Sequence, residues 1–340
     1  MPLFLLMPLI AIFSACGKGD SSPGTGTAPT NLSVAAVVNP NNSGNVSFTA
    51  SATNAVTYEY DYGNGIFQTV PSGVVVYKYP SSGTYTVNVV AKSSGGQSIT
   101  KSIQVTVTVV QSLVWSEEFN SDGAPDPAKW GYDIGTGSGG WGNAELEYYT
   151  NRPVNSIVQG GVLKINAIKE NYSGSAYTSA RLLSKDKFSF KYGKVEISAK
   201  LPAGVGTWPA LWMLGDDIGT TGWPGCGEID IMEHRGSELN KIFGTFHYPG
   251  HSGGNADGAT LTIANATTAF HKYSLDWSAT SVKIYVDDVL VHSLANSNAV
   301  PFNHNFFFIL NVAMGGGFAG PVDPAFTSAT MEVDYIRVYN

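Results

Sequence analysis

Cysteine is nearly absent: 340 residues contain only Cys16 and Cys226. A cysteine-built metal cage is therefore excluded, and stability must come from the size of the core. Charge is scarce as well. Lys, Arg, Asp and Glu make up 13% of the chain, about half the share usual in soluble domains. The net charge is −7, with three Lys against two acids over residues 29–110 and 15 basic against 23 acidic residues over 111–340. Nothing in that balance attracts a phosphate backbone, so no nucleic-acid partner is expected. Tryptophan is missing from the first 110 residues; beyond them no 3.6-residue apolar period is sustained and no repeat recurs at solenoid or propeller spacing. What is plentiful is glycine, 39 residues, and aromatic side chains, 12%. That mixture reads as a strand-rich, turn-rich globular chain, long enough for one large all-β domain plus a module.

The one long apolar run, LFLLMPLIAIFSA over residues 3–15, is too short to span a bilayer and ends in small residues before Cys16. It reads as an export signal. Phe13-Ser14-Ala15-Cys16 resembles a bacterial lipobox, although no Lys or Arg precedes the apolar run. The expectation is a signal over 1–16, a lipid on Cys16 and a flexible tether over 17–28. The protein would then be an outer-membrane lipoprotein at the cell surface or in the periplasm, held to the membrane only by that anchor, or otherwise secreted. With Cys16 lipidated no disulfide forms, and Cys226 reads as a small apolar filler.

Residues 29–110 alternate short β-rich runs with Gly, Ser, Pro and Asn turns, the pattern of a small Ig-like β-sandwich. Tyr58-Glu59-Tyr60-Asp61-Tyr62-Gly63-Asn64-Gly65, followed by Tyr79 and Gly83-Thr84-Tyr85-Thr86-Val87, resembles the polycystic-kidney-disease (PKD) domain. That family is closer to W-D-F-G-D-G, so Tyr60 stands for the Trp and Asn64 for the Asp. The resemblance implies a spacer. From Leu113 the composition changes, and all seven Trp fall within residues 115–277. Long strand-like runs over 111–340 suit a single large β-jelly-roll sandwich whose sheets curve around a groove.

Within it, Gly227-Glu228-Ile229-Asp230-Ile231-Met232-Glu233-His234 sets three carboxylates in an otherwise apolar strand. Alternation puts Glu228 and Asp230 on one face and Glu233 on the other. A bulge at Ile231-Met232 would return Glu233 to the first face. Two carboxyls about 5–5.5 Å apart across a glycosidic bond support double displacement with retention. Like charges so close cannot all ionise comfortably, so one holds its proton while a neighbour stays anionic. Asp230 would tune the nucleophile; spacing alone leaves Glu228 and Glu233 exchangeable as nucleophile and acid. Calcium binding by these acids is disfavoured because Ile, Ile and Met intervene where a calcium loop carries Gly, Asn and Asp.

Trp223-Pro224-Gly225-Cys226 leading into that strand resembles the signature of glycoside hydrolase family 16 in its laminarinase-like branch, with the bulged E-x-D-x-x-E strand that the licheninase branch usually lacks. The likeness runs over about residues 113–340, through Leu113-Val114-Trp115, Trp141-Gly142-Asn143-Ala144-Glu145, Trp208-Pro209-Ala210-Leu211-Trp212-Met213, Gly244-Thr245-Phe246-His247-Tyr248 and Val333-Asp334-Tyr335-Ile336-Arg337-Val338-Tyr339. It implies a concanavalin A-like jelly roll and endo-hydrolysis of β-glucan, with Glu228 as nucleophile and Glu233 as acid/base. It also implies Asn143, Arg181, Trp208, Trp212, Trp223, His247 and Asn311 as groove residues. From the residues alone His247 reads as a core histidine, Trp212 as packing, and His234 as facing away from the groove. No catalytic cofactor is expected. A structural calcium at the backbone of Glu118 and Gly161 and the carboxylate of Asp334 is implied by the family, and a monomer is expected. Phe318-Ala319 replaces the Trp-Pro pair common in laminarinases, and residues 251–258 form a loop of their own. Glucan preference is therefore open between β-1,3-glucan and a mixed-linkage glucan or algal galactan, with a non-catalytic lectin as the reading of another class.

Overall fold

The computed structural model describes residues 26–340. The export run, Cys16 and most of the tether lie outside the described residues, and no described helix is long and apolar enough to cross a membrane. The chain divides into compact units at Gln111/Ser112.

In the first unit, strands Thr30–Val38, Asn45–Thr53 and Val74–Lys78 form one sheet. Phe67–Val70, Thr57–Asp61, Gly83–Lys92 and Ser98–Val107 form the other. Val46, Phe48, Val87 and Val89 alternate inward to the shared core. Tyr60 is fully buried in the tryptophan's place, and its hydroxyl donates to the Gly73 carbonyl at 2.6 Å. The smaller ring is thus accommodated with its polar atom satisfied. Asn64 donates to the Tyr77 hydroxyl at 2.8 Å, and Tyr77 stacks on Tyr62 at 3.8 Å.

The second unit is two stacked sheets. The ten-stranded outer sheet runs Glu147–Tyr149, Ser175–Ser179, Leu163–Tyr172, Ser328–Tyr339, Gly193–Lys200, His271–Trp277, Ser281–Val286, Val289–Ala295, with Ser156–Val158 and Leu113–Glu117 joined at its side. The seven-stranded inner sheet runs Asp257–Thr262, Lys241–His247, Glu228–His234, Thr207–Gly215, Phe306–Met314, Arg181–Leu183, Gly131–Asp133. One face of each sheet closes on a core that includes Val195, Ile197, Leu275, Ile284, Ile336, Ile229, Phe246, Phe308 and Leu310. The other face of the inner sheet carries the groove. Phe306–Met314 is buried along its whole length, because Phe307 and Ile309 on its second face pack with Leu214, Cys226, Leu183, Trp212 and Ile218. Cys226 is that filler, and burial pushes its thiol up to about 11.

Candidate active site

The central strand of the inner sheet breaks its own alternation. Against Thr207–Gly215, Met232 pairs with Leu211 and Asp230 with Trp212, leaving Ile231 without a partner. Against Lys241–His247, Asp230 pairs with Thr245 and Glu233 with Phe243, two intervening residues facing one. This is a β-bulge at the expected position. Ile229, Ile231 and Met232 all enter the core, while Glu228, Asp230 and Glu233 all line the groove. His234 is fully buried on the core side and does not line the groove; burial lowers its pKa.

Glu228 and Glu233 each have their own donor, whereas Asp230 Oδ2 is buried without one. Trp223 Nε1 donates to Glu228 Oε2 at 3.0 Å. Trp208 Nε1 donates to Glu233 Oε1 at 2.9 Å, and the Thr245 hydroxyl reaches its Oε2 at 3.4 Å. His247 Nε2 lies 3.2 Å from Asp230 Oδ2 and 3.6 Å from Glu228 Oε1. Burial pushes each of the three carboxyls up to about 8, and mutual repulsion adds to this for Glu228 and Glu233. The three carboxyls titrate as one cluster that keeps at least one proton at neutral pH, the condition for general acid catalysis, while another is left to ionise as nucleophile.

Glu228, Asp230 and His247 place one ligand atom each within 4.8 Å of one another, close enough for a metal ion. The histidine argues otherwise. Its Nδ1 accepts the Gly253 N–H at 3.2 Å, so in neutral imidazole the proton sits on Nε2, on the side of the acids, where a cation would need a free lone pair. His247 is thus a groove residue, against the core reading that its apolar neighbours favour, and residues 251–258 supply the backbone that orients it.

The groove is about 870 Å³, and all seven implied groove residues line it with the acids. On one side of the acid strand, Arg181 lies between Trp141 and Trp212, its guanidinium carbon 4.5 and 4.9 Å from the two rings. Trp212 both packs and donates, Nε1 to Asn311 Oδ1 at 2.8 Å. Asn143 is presented by a glycine-rich turn in which Gly140 has φ +63, and a Cβ there would come 2.5 Å from the Glu145 nitrogen. Beside Glu233, Trp208, Phe318 and Phe243 form an aromatic wall with ring centroids 4.9 and 5.1 Å apart. Arg235 lies 4.1 Å over Phe318. Phe318 thus still offers a ring face where the family commonly has tryptophan. Sequence reasoning missed Arg235, Phe243, Thr245, Glu145 and the fully buried Glu147. The only signal for the last two was a pair of acids at alternate positions of Glu145-Leu146-Glu147, opening a strand.

The glycosyl hydrolases family 16 model matches residues 143–337, and the PKD domain model matches 31–109. A beta-glucanase of Rhodothermus marinus is 44% identical over 243 residues, covering 67% of this chain and 84% of that protein. The laminarinase catalytic domain of Thermotoga maritima MSB8 superposes with a TM-score of 0.64 at 45% identity, over 68% of this chain and 98% of that one. A keratan-sulfate endo-1,4-beta-galactosidase of Sphingobacterium multivorum is 33% identical over 288 residues, 81% of this chain and 66% of that protein.

Proposed function

The chain belongs to glycoside hydrolase family 16, and from that membership we propose that its second unit hydrolyses internal β-1,3-glucosidic bonds of laminarin-type glucans with retention of anomeric configuration. The observation that carries the reading is the bulge, which turns Glu228, Asp230 and Glu233 to one groove between walls of tryptophan. Glu228 attacks the anomeric carbon. Glu233 protonates the departing oxygen, then takes a proton from the water that releases the glycosyl ester. Asp230, between them and against His247, tunes the nucleophile. Aromatic faces suit the apolar faces of pyranose rings. The β-glucanase and laminarinase relatives favour a 1,3-glucan, and the galactosidase relative keeps a galactan as the second reading. An intact acid set disfavours a lectin.

Proton NMR during digestion of laminarin, mixed-linkage glucan and keratan sulfate in parallel tests both substrate and stereochemistry. Laminarin should give an oligosaccharide ladder whose first reducing ends are β. Turnover of another polymer alone, or α ends first, would sink the reading.

The calcium implied by the family would be held by Glu118, Gly161 and Asp334, and strand register supports this choice. Leu163 pairs with Val333 and Glu117 with Ile336, which draws the three residues to one stretch of the outer sheet. Asp334 is itself the extra residue of a bulge between Val333 and Tyr335. Arg337 takes the Glu118 carboxylate at 2.9 and 2.8 Å, leaving that residue's backbone oxygen for an ion. Oxygen-only donors fit calcium. Calcium binding only the folded state should raise Tm; a Tm indifferent to EGTA and added calcium would exclude the site.

A further inference from the structure

Behind the groove wall that holds Asn143, Trp212 and Asn311 lies a hydrogen-bond chain with a fixed direction. At one end, Trp212 Nε1–H can only donate, and it donates to Asn311 Oδ1 at 2.8 Å. The Asn311 amide nitrogen must then point the other way, and it donates to the Tyr149 hydroxyl oxygen at 3.0 Å. Tyr149 passes its own proton to Glu145 Oε2 at 2.9 Å. Asn143 Nδ2 donates to Glu145 Oε1 at 3.0 Å. A donor-only indole and an acceptor-only carboxylate therefore terminate the chain, and only one orientation of both asparagine amides satisfies it.

Glu147 stands beside Glu145 and is fully buried. Its Oε2 accepts the Met314 N–H at 2.6 Å, and its Oε1 meets no donor. Burial first, then the neighbouring Glu145, pushes its carboxyl well above the ordinary range, and Glu145 is its side-chain hydrogen-bond partner, a contact that two carboxyls make only with a proton between them. A neutral carboxyl here supplies Glu145 with a hydrogen bond where a second negative charge would repel it.

We propose that Glu145 and Glu147 form a proton-sharing carboxyl pair that acts as a positioning unit, fixing which hydrogen-bond donors and acceptors Asn143 and Asn311 present to the glucan and where the Trp212 ring stands. The proposal rests on the glucanase reading above and deepens it. Replacing Glu145 with Gln leaves one oxygen for two donors. If the new amide faces Tyr149, the tyrosine hydroxyl receives two donors and its own proton has no acceptor. If it faces Asn143, that side chain must flip and show the sugar an amino group where it showed an oxygen.

The test is steady-state kinetics with thermal melts on Glu145→Gln, Glu147→Leu, Glu147→Gln and Tyr149→Phe. Glu145→Gln and Glu147→Leu should raise KM on laminarin at least ~10-fold, each with kcat changed less than ~3-fold, as expected where ground state and transition state lose the same contact. Glu147→Gln, which still donates to Glu145 and accepts from Met314, should restore KM to within ~2-fold of wild type. Should Glu145→Gln not fold, Tyr149→Phe breaks the same chain while leaving both carboxyls in place, and should give the same KM-selective loss. A wild-type KM in Glu145→Gln or Tyr149→Phe, or an equal loss in both Glu147 variants with lowered Tm, would overturn the proposal. Failure of the glucanase reading shows separately, as an inactive wild-type enzyme on laminarin; the variants are then compared on the polymer it does cleave.

Discussion

Glu228→Gln should abolish hydrolysis, with kcat on laminarin falling at least ~10⁴-fold, and at the same time make the protein harder to melt. The first effect follows from chemistry: an amide oxygen is too weak a nucleophile to form the glycosyl ester, whatever Glu233 donates. The second follows from linkage. Burial raises the Glu228 carboxyl from the ordinary range near 4.5 to about 8, so between those values the folded state binds more protons than the unfolded state. Stability from this group is complete below the unfolded value and is lost as pH rises through about 8. An amide does not titrate. The variant's gain should therefore be small at pH 4.5 and grow toward pH 8, reaching on the order of 1–2 kcal/mol, or roughly 2–6 °C in Tm. Glu233→Gln should show the same stability trend, since burial raises it likewise. Its activity loss should be smaller on aryl glucosides whose leaving groups need no proton. Calorimetry at pH 4.5 and 8 with reducing-end assays decides the matter. Undiminished turnover in either variant contradicts the assigned roles, and a Glu228→Gln gain that shrinks as pH rises contradicts the account of burial.

The acid strand was legible because its information is local. Alternation is a property of consecutive residues, so a wrong parity between Asp230 and Glu233 already demanded a bulge. The sandwich cores were legible for the same reason, since Phe48, Val87 and Val89 sit at alternating positions of β-rich runs. His247 was not: its role depends on a hydrogen bond from Gly253, and among apolar neighbours a histidine looks like core. Glu147 was less legible still, because the group that makes its burial tolerable is the Met314 N–H, far away in sequence. The wall of Trp208, Phe243 and Phe318 is likewise drawn from three separate segments. Residue type and spacing reveal which side chains share a face, whereas polar networks closed by the backbone of another segment emerge only with the fold.

The parity argument can be tested on the strand itself. Deleting Met232 leaves Glu228, Asp230 and the following glutamate at successive alternate positions, so a regular strand without a bulge still turns all three acids to the groove and the next histidine to the core. Deleting Ile231 and Met232 together moves that glutamate onto the core face. The single deletion should cost about 2–5 kcal/mol, as for removal of a fully buried Met side chain, yet keep measurable hydrolysis, within ~10²-fold of wild type if the carboxyl is displaced by about an ångström. The double deletion should lose at least ~10⁴-fold, because the proton donor is gone from the groove and an unpaired carboxyl is forced among Leu211, Ile242 and Leu310. Reducing-end assays on the two variants, with far-UV circular dichroism to confirm that both retain the sandwich, separate the cases. Equal activity in the single and double deletions would mean that the side of the sheet on which the glutamate emerges does not determine catalysis, and the bulge would lose its place in the mechanism.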